Sequence, residues 1–176
     1  MDRKYLLKTL IEIGCIKKGN FTLKSGINSS YYIDLRILIS YPELLKNVCN
    51  LLYKLIDSNN LNSKICGLPY AGIPYACYLS TEYNLKMLML RKEQKNHGTK
   101  KMIEGIFETD DDIIIIDDIL TSGASIKESL NYLQEFNIKQ IIVIFDRDQG
   151  GSQELTEMGY KIKALFNIKE IEEYVI

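Results

Sequence analysis

The 176-residue chain reads as an α/β protein, a mostly parallel sheet flanked by helices on both faces. Short runs that are apolar throughout, rather than alternating, recur at 64–68, 86–90, 113–116, 140–145 and 161–165, as in strands buried on both sides. Between most of them lie stretches with helical spacing, at 70–81, 125–136 and 152–158, and strands that alternate with helices build parallel sheets. No repeat, low-complexity tract or linker-like change of composition interrupts the chain, so one domain over 1–176 is expected, with a small hood over 1–40 and the α/β core over 41–176.

The hood comes first. The N-terminal MDRKYLLKTLIEIG has acidic residues and no long apolar core. No apolar run approaches the roughly 18 residues of a membrane helix, so neither a signal peptide nor a span is expected, and the cytoplasm is the expected location. FTLKSGINSSYYIDLR, at 21–36, is irregular, with two tandem aromatics and a lysine beside a Ser-Gly pair, and reads as a flap. Ser40-Tyr-Pro-Glu43 reads as a capping box with an early proline, followed by Leu44, Leu45, Val48, Leu51, Leu52, Leu55 and Ile56 at helical spacing.

One connection breaks the strand–helix rhythm. RKEQKNHGTKKMIEGIFET, from Arg91 to about Thr109, has neither period, and so long a loop in a compact domain is functional or disordered. Five of its first eleven residues are Lys or Arg, and it carries the only histidine, His97. The composition, 46% hydrophobic and 26% charged, is that of a soluble globular protein. A net charge of −1 gives no general attraction to nucleic acid or anionic membrane, so any anion site must be local. Cysteines 15, 49, 66 and 77 are spaced too widely for a zinc knuckle and read as buried thiols.

The chemistry concentrates at 113–125, IIIIDDILTSGAS. Four isoleucines that want burial run into two carboxylates, Asp117 and Asp118, where the strand is expected to end. The carboxyl ends of strands are where open α/β sheets bind ligands. The small, hydroxylated Thr121-Ser-Gly-Ala-Ser125 then opens a helix, so backbone N–H groups and hydroxyls converge where an anion is favoured. Two acids that accept from vicinal hydroxyls, or reach them through a metal, beside a phosphate cradle suit a sugar phosphate. Neither G-x-G-x-x-G nor G-x-x-x-x-G-K-[ST] is present, which argues against Rossmann and P-loop nucleotide sites.

IIIIDDILTSGAS resembles the phosphoribosyl diphosphate (PRPP) binding motif of type I phosphoribosyltransferases. Three further stretches resemble the orotate phosphoribosyltransferase branch: FTLKSGINSSYYIDLR, RKEQKNHGTKKMIEG at 91–105 and DRDQGG at 146–151. With ICGLPYAGIP at 65–74, the likeness spans nearly the whole chain and looks closer to the transferase half of eukaryotic-type UMP synthase than to the common bacterial enzyme.

The resemblance implies the type I fold with its hood, and transfer of phosphoribose from PRPP to orotate, giving orotidine 5′-monophosphate and pyrophosphate in pyrimidine biosynthesis. It implies Mg2+ carried on PRPP near Asp117 and Asp118, with no side-chain metal cage. PRPP contacts fall on Lys24, Tyr70, Ala71, Arg91, Lys92, Lys95, His97, Asp117, Asp118, Ile119, Leu120, Thr121, Ser122, Gly123, Ala124 and Ser125. Orotate contacts fall on Lys24, Tyr32, Ile33, Thr121 and Arg147, while Lys95, His97 and Asp118 are the implied catalytic residues. A homodimer is implied too, its lid working across the subunit boundary through Lys92, Lys95 and His97.

Chemistry agrees with these assignments. A departing pyrophosphate needs cations, and a planar base bearing a carboxylate needs a guanidinium. Ala71 departs from the common pattern, which has lysine there; Ser30 and Ala124 depart more mildly. Two rivals remain open: a transferase for adenine, hypoxanthine or uracil, and a PRPP-sensing regulator that binds nucleic acid. Neither nucleic acid nor membrane is expected as a partner. A decarboxylase acting on the product is expected to be a separate polypeptide with which the chain could associate.

Overall fold

The computed structural model describes residues 2–22, 28–93 and 101–174. Its first element is helix α1 (Arg3–Glu12), capped by the Asp2 carboxylate, which accepts from the Lys4 and Tyr5 N–H groups at 3.2 and 3.4 Å. Leu6, Leu7 and Leu10 give it a buried stripe. The hood is then an antiparallel pair, β1 (Ile16–Thr22) and β2 (Asn28–Ile33), followed by a 3-10 turn at Leu35–Ser40.

Helix α2 (Pro42–Tyr53) starts one residue later than the capping box requires. Ser40 ends the 3-10 turn, Tyr41 is the N-cap without a side-chain bond, and Pro42 takes the first helical position, where its missing N–H does no harm.

The core is a six-stranded sheet in the order β5-β4-β3-β6-β7-β8. Its strands are β3 (Lys64–Gly67), β4 (Met87–Leu90), β5 (Ile103–Glu104), β6 (Asp112–Leu120), β7 (Asn137–Asp146) and β8 (Ile162–Asn167). All pairings are parallel except β4 with β5 at the edge. The helices between them are α3 (Gly72–Tyr83), α4 (Ala124–Leu130) and α5 (Gly151–Glu157), with α6 (Ile168–Tyr174) after β8.

Burial on both faces is what the unbroken isoleucine runs dictate. Ile114, Ile116, Ile142 and Ile144 pack into one cluster with α1, α2 and α3, while Ile113, Ile115, Ile141 and Val143 pack into a second with α4 and α5. The sequence-predicted helix 125–136 is helical only to Leu130; i→i+3 bonds tighten the chain from Asn131 to Phe136 into turns. Three cysteines are buried, but Cys77 is exposed, since it follows buried Ala76 onto the solvent side of α3. No helix among the described residues is long and apolar enough to cross a membrane.

The strand order creates one crevice. From β3 the chain moves outward to β4, then jumps back over β3 to β6 and continues through β7 to β8. On the β3 side, β6 is paired only as far as Ile116, opposite Gly67. On the β7 side it stays paired to Leu120, opposite Asp146. Asp117 and Asp118 therefore lie inside β6 rather than beyond it, on the stretch that β3 has left open. This is the topological switch point at which such sheets bind ligands.

Candidate active site

Asp117 and Asp118 dominate the crevice. The Asp117 carboxylate accepts from the Asp118 N–H at 2.9 Å, and the Asp118 carboxylate accepts from the Ile119 N–H at 2.8 Å, so each acid braces the backbone after it. Burial, with the neighbouring Asp118 charge added, pushes the Asp117 carboxyl up to about 8. Asp118 is also raised by burial, partly offset by N–H donors and by the field of Arg36. Two acids so poorly solvated are held ready for hydroxyl donors or a cation.

The turn after them is a candidate anion site. Gly123 has a φ of 71°, a left-handed conformation that glycine adopts without strain, and it caps α4. First-turn N–H groups have no partner within a helix. No backbone bond among the described residues takes those of Ser122, Gly123, Ala124 and Ser125. Ile119 is half-buried, and the Leu120 side chain lies in the core at 1% exposure, so Leu120 can offer a ligand only its backbone.

The opposite wall is the turn after β3. A β-carbon on Gly72 would lie 2.3 Å from the Ile116 carbonyl oxygen; its absence lets α3 begin directly against β6. That close approach sets Tyr70 and Ala71 across the crevice from the acids. Tyr70 is 69% exposed, and the Lys92 ammonium lies 5.5 Å from its ring centroid. Together with Pro69, Ile73 and Arg91 they line a groove of about 290 Å3. Arg91 is tied to Glu104 at 3.1 Å, so strand β5, which the sequence did not reveal, orients this predicted pyrophosphate contact. Lys24, Lys95 and His97 lie outside the described residues.

The third wall carries Arg147, one residue past β7. Its N–H donates to the Leu120 carbonyl at 2.9 Å, tying it to the start of the phosphate turn. Its Nη2 donates to Ser29 Oγ at 2.8 Å and to the Tyr31 carbonyl at 3.1 Å, both on the hood strand β2. Arg147 is only 8% exposed, its Nε is buried without a partner, and desolvation pulls its pKa below the ordinary value.

The flanking acids do not neutralise it. Asp146 accepts from the Asp148 N–H at 2.9 Å, and Asp148 pairs with Lys169 at 2.5 Å. A buried guanidinium with no carboxylate among the described residues is costly, and it is eased by an anion from outside. Tyr32 stands half out of the hood, its ring 5.6 Å from that of Phe21. Ile33 is a core residue at 6% exposure, which leaves its backbone as the part able to face a ligand.

Sequence reasoning missed three residues here. Ser29 anchors Arg147 across 118 positions of chain, a separation that no local pattern encodes. Arg36, held by Asp34 at 2.7 Å, acts electrostatically on Asp118. Gly151 packs on the phosphate turn, and its Gly-Gly dipeptide was the available signal. A roomier groove of about 540 Å3 lies at the other end of the sheet, between Lys64, Lys86, Phe107 and Asp111. The strands begin there, and Lys64 is already paired with Asp111.

Acid pair, phosphate turn and switch point together define a phosphoribosyltransferase. A model of the phosphoribosyl transferase domain matches residues 37–171. The chain is 34% identical to orotate phosphoribosyltransferase of Chlamydia caviae, over 96% of this chain and 84% of that protein. It is 36% identical to uridine 5′-monophosphate synthase of Bos taurus, over 94% of this chain but 35% of that one, so it spans about a third of the bovine protein. The solved orotate phosphoribosyltransferase of Aeropyrum pernix superposes with a TM-score of 0.86 at 29% identity, covering 97% of both chains. The chain belongs to the phosphoribosyltransferase family, on its orotate phosphoribosyltransferase branch.

Proposed function

We propose that the chain transfers the phosphoribosyl group of PRPP to orotate, releasing pyrophosphate and forming orotidine 5′-monophosphate. The observation that carries this reading is Arg147: a buried guanidinium with no carboxylate partner among the described residues, beside the 121–125 turn, suits a base that brings its own carboxylate. Adenine, hypoxanthine and uracil have none.

In this scheme the N–H groups and hydroxyls of Thr121 to Ser125 hold the 5-phosphate, and Asp117 and Asp118 accept from the ribose hydroxyls. Tyr70, Arg91 and Lys92, with Lys24, Lys95 and His97, surround the pyrophosphate. Orotate rests between Tyr32, Thr121 and Arg147. No covalent nucleophile is required; holding the base nitrogen in line with ribose C1, and stabilising charge on the leaving group, supply the rate.

No group of three metal-ligating side chains occurs among the described residues. Two carboxylates alone fit Mg2+, which keeps waters and binds through one or two protein acids plus substrate phosphates. Asp117 and Asp118 would hold it, and when bound it supplies positive charge against the diphosphate. A homodimer with a shared lid, a cytoplasmic location and association with an orotidylate decarboxylase complete the proposal.

The reading is tested by mixing the protein with PRPP, Mg2+ and each of several bases and measuring pyrophosphate. Release with orotate alone is expected; release with a purine and not with orotate contradicts it. Ser29→Ala should raise the KM for orotate about fivefold, the worth of one hydrogen bond, and leave that for PRPP within twofold. Equal changes in both would remove Ser29 from the base side.

A further inference from the structure

The turn that carries Arg147 also presses on the phosphate turn, at Gly151. A β-carbon there would lie 2.4 Å from the Thr121 carbonyl oxygen, 2.6 Å from the Gly123 nitrogen and 2.7 Å from the Ser122 carbonyl carbon. These are backbone atoms, which cannot swing aside as a side chain would. Two backbone bonds flank the contact: Gly151 N–H to the Thr121 carbonyl at 3.0 Å, and Arg147 N–H to the Leu120 carbonyl at 2.9 Å. From the other side, a β-carbon on Gly123 would come within 3.5 Å of the Gly151 Cα and 3.3 Å of Leu155 Cδ1. Gly150, next door, differs: its φ is 89°, and a β-carbon there would meet nothing within 4 Å.

We infer that Gly151 is a positioning residue for the phosphate turn. Its bare Cα sets the height of the Thr121–Gly123 backbone, and the 146–151 segment joins that backbone to Arg147. The phosphate-holding and base-holding halves of the site are thereby one rigid piece, and a side chain at 151 would displace the first relative to the second. This rests on the reading that the turn at 121–125 binds the 5-phosphate.

The test compares Gly151→Ala with Gly150→Ala, which adds the same methyl group and bears a left-handed backbone penalty but leaves the turn alone. Ribose 5-phosphate affinity is read by calorimetry and stability by thermal melting. Gly150→Ala should melt lower and bind within twofold of the parent. Gly151→Ala should bind about tenfold or more weakly, because overpacking strain falls on the amides that hold the phosphate. Unchanged binding by Gly151→Ala overturns the positioning role and spares the functional reading, whereas a parent that does not bind ribose 5-phosphate overturns both. If Gly151→Ala yields no folded protein, amide exchange in the parent decides. Ribose 5-phosphate alone should slow the Gly151 and Arg147 amides together, and protection of neither, or of one without the other, contradicts the inference.

Discussion

Asp117→Asn is expected to raise the melting temperature of the ligand-free protein at pH 8 while lowering pyrophosphate release at least about 100-fold. The two effects share one cause. Burial and the Asp118 charge hold the Asp117 carboxyl near 8, whereas an unfolded chain releases that proton at about 3.9. Between those values the folded state carries a proton that the unfolded state has lost, so stability falls as pH rises through this window. The penalty is therefore largest at the top of this window, and the variant should melt several degrees above the parent there.

Asparagine removes the ionisation and keeps an oxygen for the Asp118 N–H, so the variant should gain most at pH 8 and almost nothing near pH 4. In the complex, hydroxyl donors favour the ionised acid, and asparagine forgoes that charge and the hydrogen bonds it strengthens, each worth about 1.5–3 kcal/mol. Melting scans from pH 4 to 8, with a pyrophosphate assay, check both halves. A variant that melts below the parent at pH 8 contradicts the electrostatic account, and one that retains activity contradicts the role in binding.

Arg147→Lys is expected to lower kcat/KM for orotate by about 100-fold or more and to leave PRPP binding nearly intact. Lysine keeps the charge but is a single point donor. It cannot hold Ser29 Oγ and the Tyr31 carbonyl while also presenting a fork to a carboxylate. Losing one partner of a buried charged pair costs about 2–5 kcal/mol, which spans that fold-change. Steady-state kinetics with orotate varied, beside calorimetry with PRPP, separate the outcomes. Loss of both affinities would mean that Arg147 supports the fold rather than the base, and a change under threefold would move the carboxylate elsewhere.

What the sequence made legible follows from where its forces are local. Ile113–Ile116 and Ile141–Phe145 declare doubly buried strands by composition, and DDILTSGAS declares a candidate anion turn by its small residues. Lys17, Lys18 and Asn20 in β1 obscure the alternation that would mark a hood strand, because that strand is mostly solvent-facing. β5 has two residues and no period to detect. The capping box failed because two competing starts overlap at Ser40–Pro42, and the proline's fixed φ decides between them. Within the site, the acids and the turn lie in one segment and were readable. Ser29 with Arg147, and Gly151 with Thr121, join distant segments, and only the folded sheet brings them together.

The most direct measurement is a crystal structure of the protein with orotidine 5′-monophosphate. The phosphate should sit on the N–H groups of Ser122 to Ser125, the ribose hydroxyls should face Asp117 and Asp118, and the orotate carboxylate should reach Arg147. A nucleotide bound with its phosphate away from that turn, or with its carboxylate turned from Arg147, would contradict the account.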